Sequence, residues 1–313
     1  MKKIRAGVIG VGAMGKHHSR IYNEMKGVEL VGVADVDERR AAEVAAEYNT
    51  EAFTDCERLL KNDLDAVSIA VPTSLHKEIA LKAANYGVHM LVEKPIAESL
   101  KSADAIIDAA RRENLKLMVG HIERFNPAIL KLKELVSAGE LGQIISISCR
   151  RVGPYPPRIR DVGIIIDLAV HDIDAISYLY GKRALSVYSI AGNSFHTKED
   201  YASILLQYED KKSGMVETNW LTPHKIRKLT VTGTGGVAHA DYLEQSLEIW
   251  EEGGVREVEI EKREPLKNEL EHFIHAIMND EEPSPSGEEG KYTLYVAISA
   301  IESYEKGKNI LLN

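Results

Sequence analysis

The sequence predicts an α/β fold with a doubly wound parallel sheet at the N-terminus and a second α/β domain built on a large, mostly antiparallel open sheet. A short apolar strand that begins at Ile4 runs straight into Gly10-x-Gly12-x-x-Gly15. Apolar, strand-like runs then alternate with helical runs up to about residue 120, which is typical of a parallel sheet covered by helices. Past Gly142, segments that alternate apolar and polar residues dominate, and they indicate antiparallel strands.

The glycine loop at residues 10 to 15 is typical of a dinucleotide site. Gly10 allows a tight turn, Gly12 lets the backbone approach a pyrophosphate, and Gly15 lets the next helix pack close to the strand. Ala13 and Met14 stand at the start of that helix, whose free N–H groups would point at the phosphates. The loop therefore predicts a bound dinucleotide.

Asp35 ends the second apolar run, 28–34, and follows Gly15 by 20 residues. A carboxylate at that strand tip can accept hydrogen bonds from the adenosine ribose, and it would repel a 2′-phosphate, so the sequence favours NAD. A helix cap is the other interpretation of Asp35. Arg39 and Arg40 keep NADP possible, because a guanidinium can bind the additional phosphate.

The N-terminal domain is expected to span residues 1–121. The predicted helices are 14–26, 41–48, 55–61, 75–86 and 99–113, and the predicted strands after the first are 28–34, 65–71, 88–92 and 115–119. The strand 88–92 delivers Glu93-Lys94-Pro95 at its carboxyl end. Ligands of open α/β sheets bind at that end.

The second domain is expected to span 122–313. Asn126-Pro127 predicts the start of a helix that ends at Gly139, since Asn caps helices and Pro suits their first turn. Further helices are predicted over 165–180, 266–278 and 289–306. Strands are predicted over 144–151, 185–190, 202–208, 214–220, 226–232 and 246–250.

Composition excludes several classes of function. The chain has 313 residues, 44% of them hydrophobic, and a net charge of −9 without a basic run, which disfavours nucleic-acid binding. No segment approaches the about 20 apolar residues that a membrane span needs. Cys56 and Cys149 make no disulfide framework and indicate a reducing cytoplasm. No metal is expected, because no ligand spacing joins the histidines at 17, 18, 121 and 196.

Two groups of residues are candidates for catalysis. Lys94 could bind a substrate hydroxyl or share its proton, although a lone lysine is often only solvated. Asp167 and His171 have the i, i+4 spacing that places a carboxylate and an imidazole on one helix face. There Asp167 could orient the imidazole of His171, which would accept the proton of an alcohol. The alternative interpretation is that His171 is a buried structural histidine. Asp172 and Asp174 lie elsewhere around this helix and are assigned no chemistry.

These features together resemble the glucose-fructose oxidoreductase, inositol dehydrogenase and rhizopine-catabolism (Gfo/Idh/MocA) family over nearly the whole chain. Glu-Lys-Pro at this distance from the glycine loop, followed by Asp-x-x-x-His, is a specific combination. The matching motifs are Gly10-x-Gly12-x-x-Gly15, Asp35, Pro72-x-x-x-His76-x-x-x-Ala80-x-x-Ala83, Gly87-x-His89, Glu93-Lys94-Pro95, Arg124-Phe125-x-Pro127, Asp167-x-x-x-His171 and Gly233-Thr-x-Gly236.

The resemblance implies a Rossmann domain that binds NAD and a C-terminal open sheet that commonly forms homodimer or homotetramer contacts. It implies oxidation of sugar or cyclitol alcohols, with Lys94 on the reacting hydroxyl, His171 as general acid and base, and Asp167 supporting it. The resemblance also implies further contacts with the cofactor and the substrate, at the positions that match the family's motifs. Val71, Pro72, His76 and Glu93 would lie at the cofactor, and Arg124 and Asn126 at the substrate, with a helix cap as the alternative for Asn126.

Within the family, the segments 120–127 and 151–161 look most like dehydrogenases that oxidise C3 of nucleotide sugars such as UDP-N-acetylglucosamine. Arg158 and Arg160, in a proline-rich loop, could bind a diphosphate, and surface arginines are the alternative. The expected substrate is therefore a nucleotide sugar. Two other hypotheses stay open: a dehydrogenase of a free sugar or inositol, and a non-catalytic regulator that binds NAD and a sugar.

Overall fold

The chain divides into two units, each with its own sheet, in the computed structural model, which describes residues 3–156 and 162–312. The first unit takes in the chain up to His121 together with Leu266–Tyr292. The second takes in Ile122–Pro265 and the chain from Thr293 onward. The domain boundaries expected from the sequence stay a prediction.

The first unit is built on a parallel sheet, as predicted. Its strands are β1 Ile4–Ile9, β2 Val28–Ala34, β3 Glu51–Phe53, β4 Ala66–Ile69, β5 His89–Glu93 and β6 Leu117–Gly120. Over the described residues the strand order is β3-β2-β1-β4-β5-β6, and each neighbouring pair is parallel. The chain leaves β1 first to one side and later to the other, so the crevice at the carboxyl ends of β1 and β4 is the expected ligand site.

Helices connect these strands, and the side chains of Asp37, Asp55 and Ser99 cap three of them. The helices are α1 Ala13–Glu24, α2 Glu38–Tyr48, α3 Cys56–Leu60, α4 His76–Asn85 and α5 Leu100–Arg112. Ser99 caps α5 by accepting a hydrogen bond from the Ser102 N–H at 3.2 Å. Strands β4 and β6 are buried throughout, which agrees with their mostly apolar sequences.

Gly10 and Gly15 have the surroundings that their predicted tasks require, and Gly12 lies on an open side of the loop. Gly10 has φ +85°, and a Cβ there would lie 2.8 Å from the backbone of Ala70. A Cβ on Gly15 would lie 1.8 Å from the carbonyl oxygen of Gly10, so α1 packs against the end of β1 with no room for a side chain. A Cβ on Gly12 would meet no described atom within 4 Å, so this side of the loop is open.

The second unit contains the mostly antiparallel sheet that the sequence predicts. Its described elements before residue 260 are α6 Pro127–Ser137, β7 Ile144–Pro154, α7 Val170–Tyr180, β8 Ser186–Gly192, β9 Tyr201–Gln207, β10 Ser213–Asn219, β11 Leu221–Gly233, β12 Val237–Asp241, β13 Ser246–Glu251 and β14 Gly254–Glu257. The chain closes with α8 Pro265–Asn279, α9 Gly287–Lys306 and β15 Ile310–Leu311.

The strand order of this sheet over the described residues is β14-β13-β12-β11-β7-β10-β9-β8-β15. Among the described strands of this sheet, only β7 and β10 pair in parallel. One face is open, because β9 buries Ala202, Ile204 and Leu206 and exposes the residues between them. This agrees with the predicted open sheet.

The structure adds elements that the sequence analysis does not predict and corrects one helix. Strands β3, β12, β14 and β15 are short, and β14 is fully exposed, so no apolar alternation marks it. The predicted helix 165–180 is not one regular α-helix, because Ile165–Ala169 forms a π-helical turn before α7. Such turns cluster at functional sites.

Gly15→Ala and Gly12→Ala form a matched test of the loop. Gly15→Ala should destabilise the fold by about 2 kcal/mol or more, because its Cβ collides with the Gly10 carbonyl. Gly12→Ala should change the free energy of unfolding by less than about 0.5 kcal/mol, since its Cβ enters open space. Urea unfolding without cofactor measures both, and equal losses would contradict this assignment.

Candidate active site

Lys94 follows the last residue of β5, so its position depends on Glu93. The carboxylate of Glu93 is buried and held at both oxygens. Its Oε1 lies 3.0 Å from Nε2 of His18, and its Oε2 accepts a hydrogen bond from the Lys94 N–H at 3.1 Å. The backbone of Lys94 is thereby fixed at the carboxyl end of the sheet, and its side chain is half-buried there.

His76 joins the carboxyl ends of two strands of this unit. Its Nδ1 lies 3.0 Å from the Pro95 carbonyl oxygen, and its Nε2 lies 2.9 Å from the Val71 carbonyl oxygen. Burial lowers the pKa of His76, although the two carbonyls oppose this shift. A neutral ring donates to only one carbonyl at a time. His76 thus ties Pro72 and its neighbour Val71 to the Glu-Lys-Pro turn.

Asp35 lies at the end of β2 beside the glycine loop. Its Oδ2 accepts a hydrogen bond from the Val11 N–H at 2.9 Å, and its Oδ1 accepts one from the Asp37 N–H at 3.0 Å. Nη1 of Arg40 lies 3.3 Å from both oxygens. The interpretation of Asp35 as the helix cap is wrong, because Asp37 caps α2 by accepting the Arg40 N–H at 3.1 Å.

The residues of this unit fit a dinucleotide. The open side of Gly12 leaves room for a pyrophosphate at the backbone, and the first turn of α1, which begins at Ala13 and Met14, carries no acidic residue that would compete for its N–H groups. Asp35 supplies the carboxylate that a ribose needs.

The second unit holds Asp167 and His171. Asp167 lies in the π-helical turn, is buried, and donates its backbone N–H to the Gly163 carbonyl at 3.1 Å. His171 lies in the first turn of α7 and is half-buried. Burial lowers the pKa of Arg227, and the negative charge of Asp167 is one of the influences that oppose this shift. Asp167 therefore has a cationic side chain in its surroundings.

Two aspartates that the sequence analysis assigns no chemistry hold α7 in place. Asp172 binds the guanidinium of Arg151, with Nη2 to Oδ1 at 2.9 Å, and Asp174 binds that of Arg124 through two bonds of 2.6 and 2.7 Å. Glu123 accepts another hydrogen bond from Arg151 at 2.6 Å. All five side chains are buried. Removing one partner of such a pair typically costs about 3 to 5 kcal/mol.

Arg124 and Asn126, predicted to contact substrate, have structural partners within this unit. Arg124 is only 4% exposed, and its guanidinium lies over the ring of Tyr178 as well as against Asp174. Asn126 caps α6 by accepting the Ala128 N–H at 3.1 Å, so the helix-cap interpretation is confirmed, and it donates to the Tyr242 carbonyl at 3.0 Å. Substrate contact stays a prediction for both. Arg158 and Arg160 lie outside the described residues.

Three rings meet at the end of β7 in the same unit. Tyr155 lies 5.0 Å from His196 and 5.4 Å from Trp220, measured between ring centroids, and His196 lies 5.4 Å from Trp220. Tyr155 keeps 37% of its surface exposed, whereas Trp220 is buried. Exposed aromatic faces of this kind can stack on a planar or a sugar ring.

Within the described part of the chain, no helix is both long and apolar enough to span a membrane. One group of three side chains, His18, Glu93 and Glu269, brings possible metal-ligating atoms within 4.8 Å of one another. No local spacing in the sequence marks this group, because its members come from distant elements.

Comparisons with known proteins agree with this architecture. Residues 4–121 match the model of the GFO_IDH_MocA oxidoreductase family with its NAD-binding Rossmann fold, and residues 129–239 match the GFO/IDH/MocA C-terminal domain. UDP-N-acetylglucosamine 3-dehydrogenase of Acidithiobacillus ferrooxidans is 33% identical, with 97% of this chain and 99% of that protein covered.

Two further similarities extend the comparison. An NAD-dependent scyllo-inositol 2-dehydrogenase of Bacillus subtilis is 29% identical, with 99% of this chain and 97% of that protein covered. A solved structure of the Acidithiobacillus ferrooxidans UDP-N-acetylglucosamine 3-dehydrogenase superposes with a TM-score of 0.92, covering 98% of this chain and 99% of that one.

Asp35→Asn tests how the first unit selects its cofactor. The amide keeps an acceptor for the Val11 N–H but removes the charge that would repel a 2′-phosphate, and it releases Arg40. The ratio of NADP to NAD dissociation constants should therefore fall by about tenfold or more, measured by fluorescence titration. Asp37→Asn, which keeps the cap, is the control. An unchanged ratio in Asp35→Asn would contradict this role.

Proposed function

Since the chain belongs to the Gfo/Idh/MocA oxidoreductase family, whose N-terminal domain binds NAD, we propose that it oxidises the C3 hydroxyl of a nucleotide sugar. UDP-N-acetylglucosamine is the leading substrate, and the product is its 3-keto derivative. The observation that carries the proposal is Lys94, fixed by its backbone to the buried Glu93 carboxylate at the carboxyl end of the sheet. The similarity to a UDP-N-acetylglucosamine 3-dehydrogenase over almost the full length supports the substrate.

The proposed chemistry assigns one task to each of three residues. Lys94 donates a hydrogen bond to the reacting hydroxyl oxygen and holds it in place. His171 accepts the hydroxyl proton while the C3–H bond breaks and the C3–O bond becomes a carbonyl. The nicotinamide of bound NAD supplies the acceptor for the hydride. Asp167 stabilises the imidazolium that forms on His171. Base catalysis of this kind is typically worth about 10² to 10⁴ in rate.

Two features support a nucleotide in the substrate. Tyr155 offers a partly exposed ring beside His196 and Trp220, and such a ring can stack on a nucleobase. Arg158 and Arg160 follow it closely in the sequence, and paired guanidinium groups suit a diphosphate.

An inositol or free-sugar dehydrogenase is the second candidate. The similarity to a scyllo-inositol 2-dehydrogenase over nearly the full length favours it. Such a substrate would need Lys94, Asp167 and His171 in the same tasks, but no diphosphate contact. Assembly as a homodimer or homotetramer and a cytoplasmic location stay predictions for either candidate.

Absorbance of reduced nicotinamide tests the proposal. The protein is supplied with NAD and, in separate reactions, with UDP-N-acetylglucosamine, glucose derivatives and myo-inositol, and we expect reduction with the nucleotide sugar. Lys94→Ala should lower kcat by about 10² or more while the dissociation constant of NAD changes less than about threefold. Lys101→Ala, at an exposed position on α5, is the control.

Three results would contradict the proposal in different ways. Turnover of myo-inositol but not of the nucleotide sugar would favour the second candidate and leave the catalytic residues in place. Undiminished turnover by Lys94→Ala, with normal NAD binding, would refute the catalytic task of this lysine. A protein that binds NAD and a sugar but reduces no NAD would be a regulator instead.

A further inference from the structure

A buried polar chain runs beneath the Glu-Lys-Pro turn of the first unit. The Tyr22 hydroxyl lies 2.8 Å from Oγ of Ser68, which lies 2.9 Å from Nδ1 of His18. Nε2 of His18 lies 3.0 Å from Oε1 of Glu93. Tyr22, His18 and Ser68 are fully buried, and Glu93 is 8% exposed. Two residues of α1 are thus joined through β4 to the end of β5.

A second carboxylate lies close to His18 and Glu93. Glu269 of α8 is fully buried, and its carboxylate lies within 4.8 Å of the ligating atoms of both His18 and Glu93. Two ionised carboxylates with a neutral imidazole would bury two negative charges, which is strongly unfavourable. Glu269 therefore adds a second buried acidic group beside the His18 ring.

The charge of Glu93 depends on its surroundings in this unit. Burial alone would raise the pKa of Glu93, but the hydrogen bond and charge of His18 and the charge of Lys94 bring it below the usual value. His76 of α4 also interacts with the Glu93 charge, and burial raises the pKa of Tyr22. Gly120 of β6 packs against the carboxylate, since a Cβ there would lie 3.1 Å from its carbon. Glu93 thus has little room to change rotamer.

We propose that His18 and Glu269 are positioning residues for Lys94 and act through Glu93. His18 holds Oε1, so that Oε2 stays aligned with the Lys94 N–H. The Glu269 carboxylate, within 4.8 Å of the His18 ring atom, limits where the ring can lie. Because this rests on the proposed function of Lys94, the test includes a measurement that needs no turnover.

His18→Gln keeps a donor for Glu93 but cannot carry a charge. It should lower kcat by about 10²-fold, the effect typical of a small misplacement, and leave the KM values for NAD and sugar within about threefold. Glu269→Gln should also lower kcat and leave both KM values within about threefold. His17→Gln, the exposed neighbour on α1, should resemble the wild type.

Trace acetylation with acetic anhydride, read by peptide mass spectrometry, reports on Lys94 without substrate. His18→Gln should change the rate at Lys94 by about threefold or more relative to Lys101, and His17→Gln should not. If the wild type oxidises no sugar but this change appears, the proposed function fails and the positioning role stands. If His18→Gln or, should it not fold, Glu269→Gln leaves both the labelling and kcat unchanged, the positioning role is refuted. A stoichiometric divalent ion lost in His18→Gln would also overturn it, because the ion would then orient Glu93.

Discussion

The contact between Gly15 and the carbonyl of Gly10 is the constraint on which the first unit depends. Because neither residue has a side chain, α1 can begin directly above the end of β1. That placement directs the free N–H groups of the helix toward the open side of Gly12. One turn further along, it brings His18 within 3.0 Å of Glu93. The same packing therefore shapes the dinucleotide loop and reaches the turn that carries Lys94.

In the second unit, buried ion pairs hold the N-terminal end of α7 in place. Asp172 and Asp174 pair with buried arginines from β7 and from the segment before α6, so α7 is fixed on two sides. The π-helical turn that precedes α7 carries Asp167, and the first turn of α7 carries His171. Charged pairs that look superfluous in the sequence thus determine where the candidate acid and base lie.

Much of the first unit could be predicted from the sequence, because the residues that mark its strands and its glycine loop are close together in the chain. Strand, turn and helix within about 20 residues determine the tasks of Gly10, Gly12 and Gly15. The structure agrees with the turn at Gly10 and the close packing at Gly15, and the pyrophosphate contact of Gly12 stays a prediction. The group of His18, Glu93 and Glu269 could not be predicted, because its members are distant in the chain. The π-helical turn leaves no mark in an apolar run, and β3 and β15 are too short for periodicity. Buried partners for Asp172 and Asp174 could have been suspected, since an aspartate in an apolar helix needs compensation.

The central claim is direct oxidation of a sugar carbon by bound NAD, and the most direct measurement follows the hydrogen itself. UDP-N-acetylglucosamine carrying deuterium at C3 is incubated with the protein and NAD, and both products are analysed by mass spectrometry and NMR. The account predicts a 3-keto sugar, deuterium in the reduced nicotinamide, and a slower rate than with the unlabelled sugar. Deuterium that stays on the sugar while NAD is reduced would contradict oxidation at C3, and no reduction with any sugar would contradict the account as a whole.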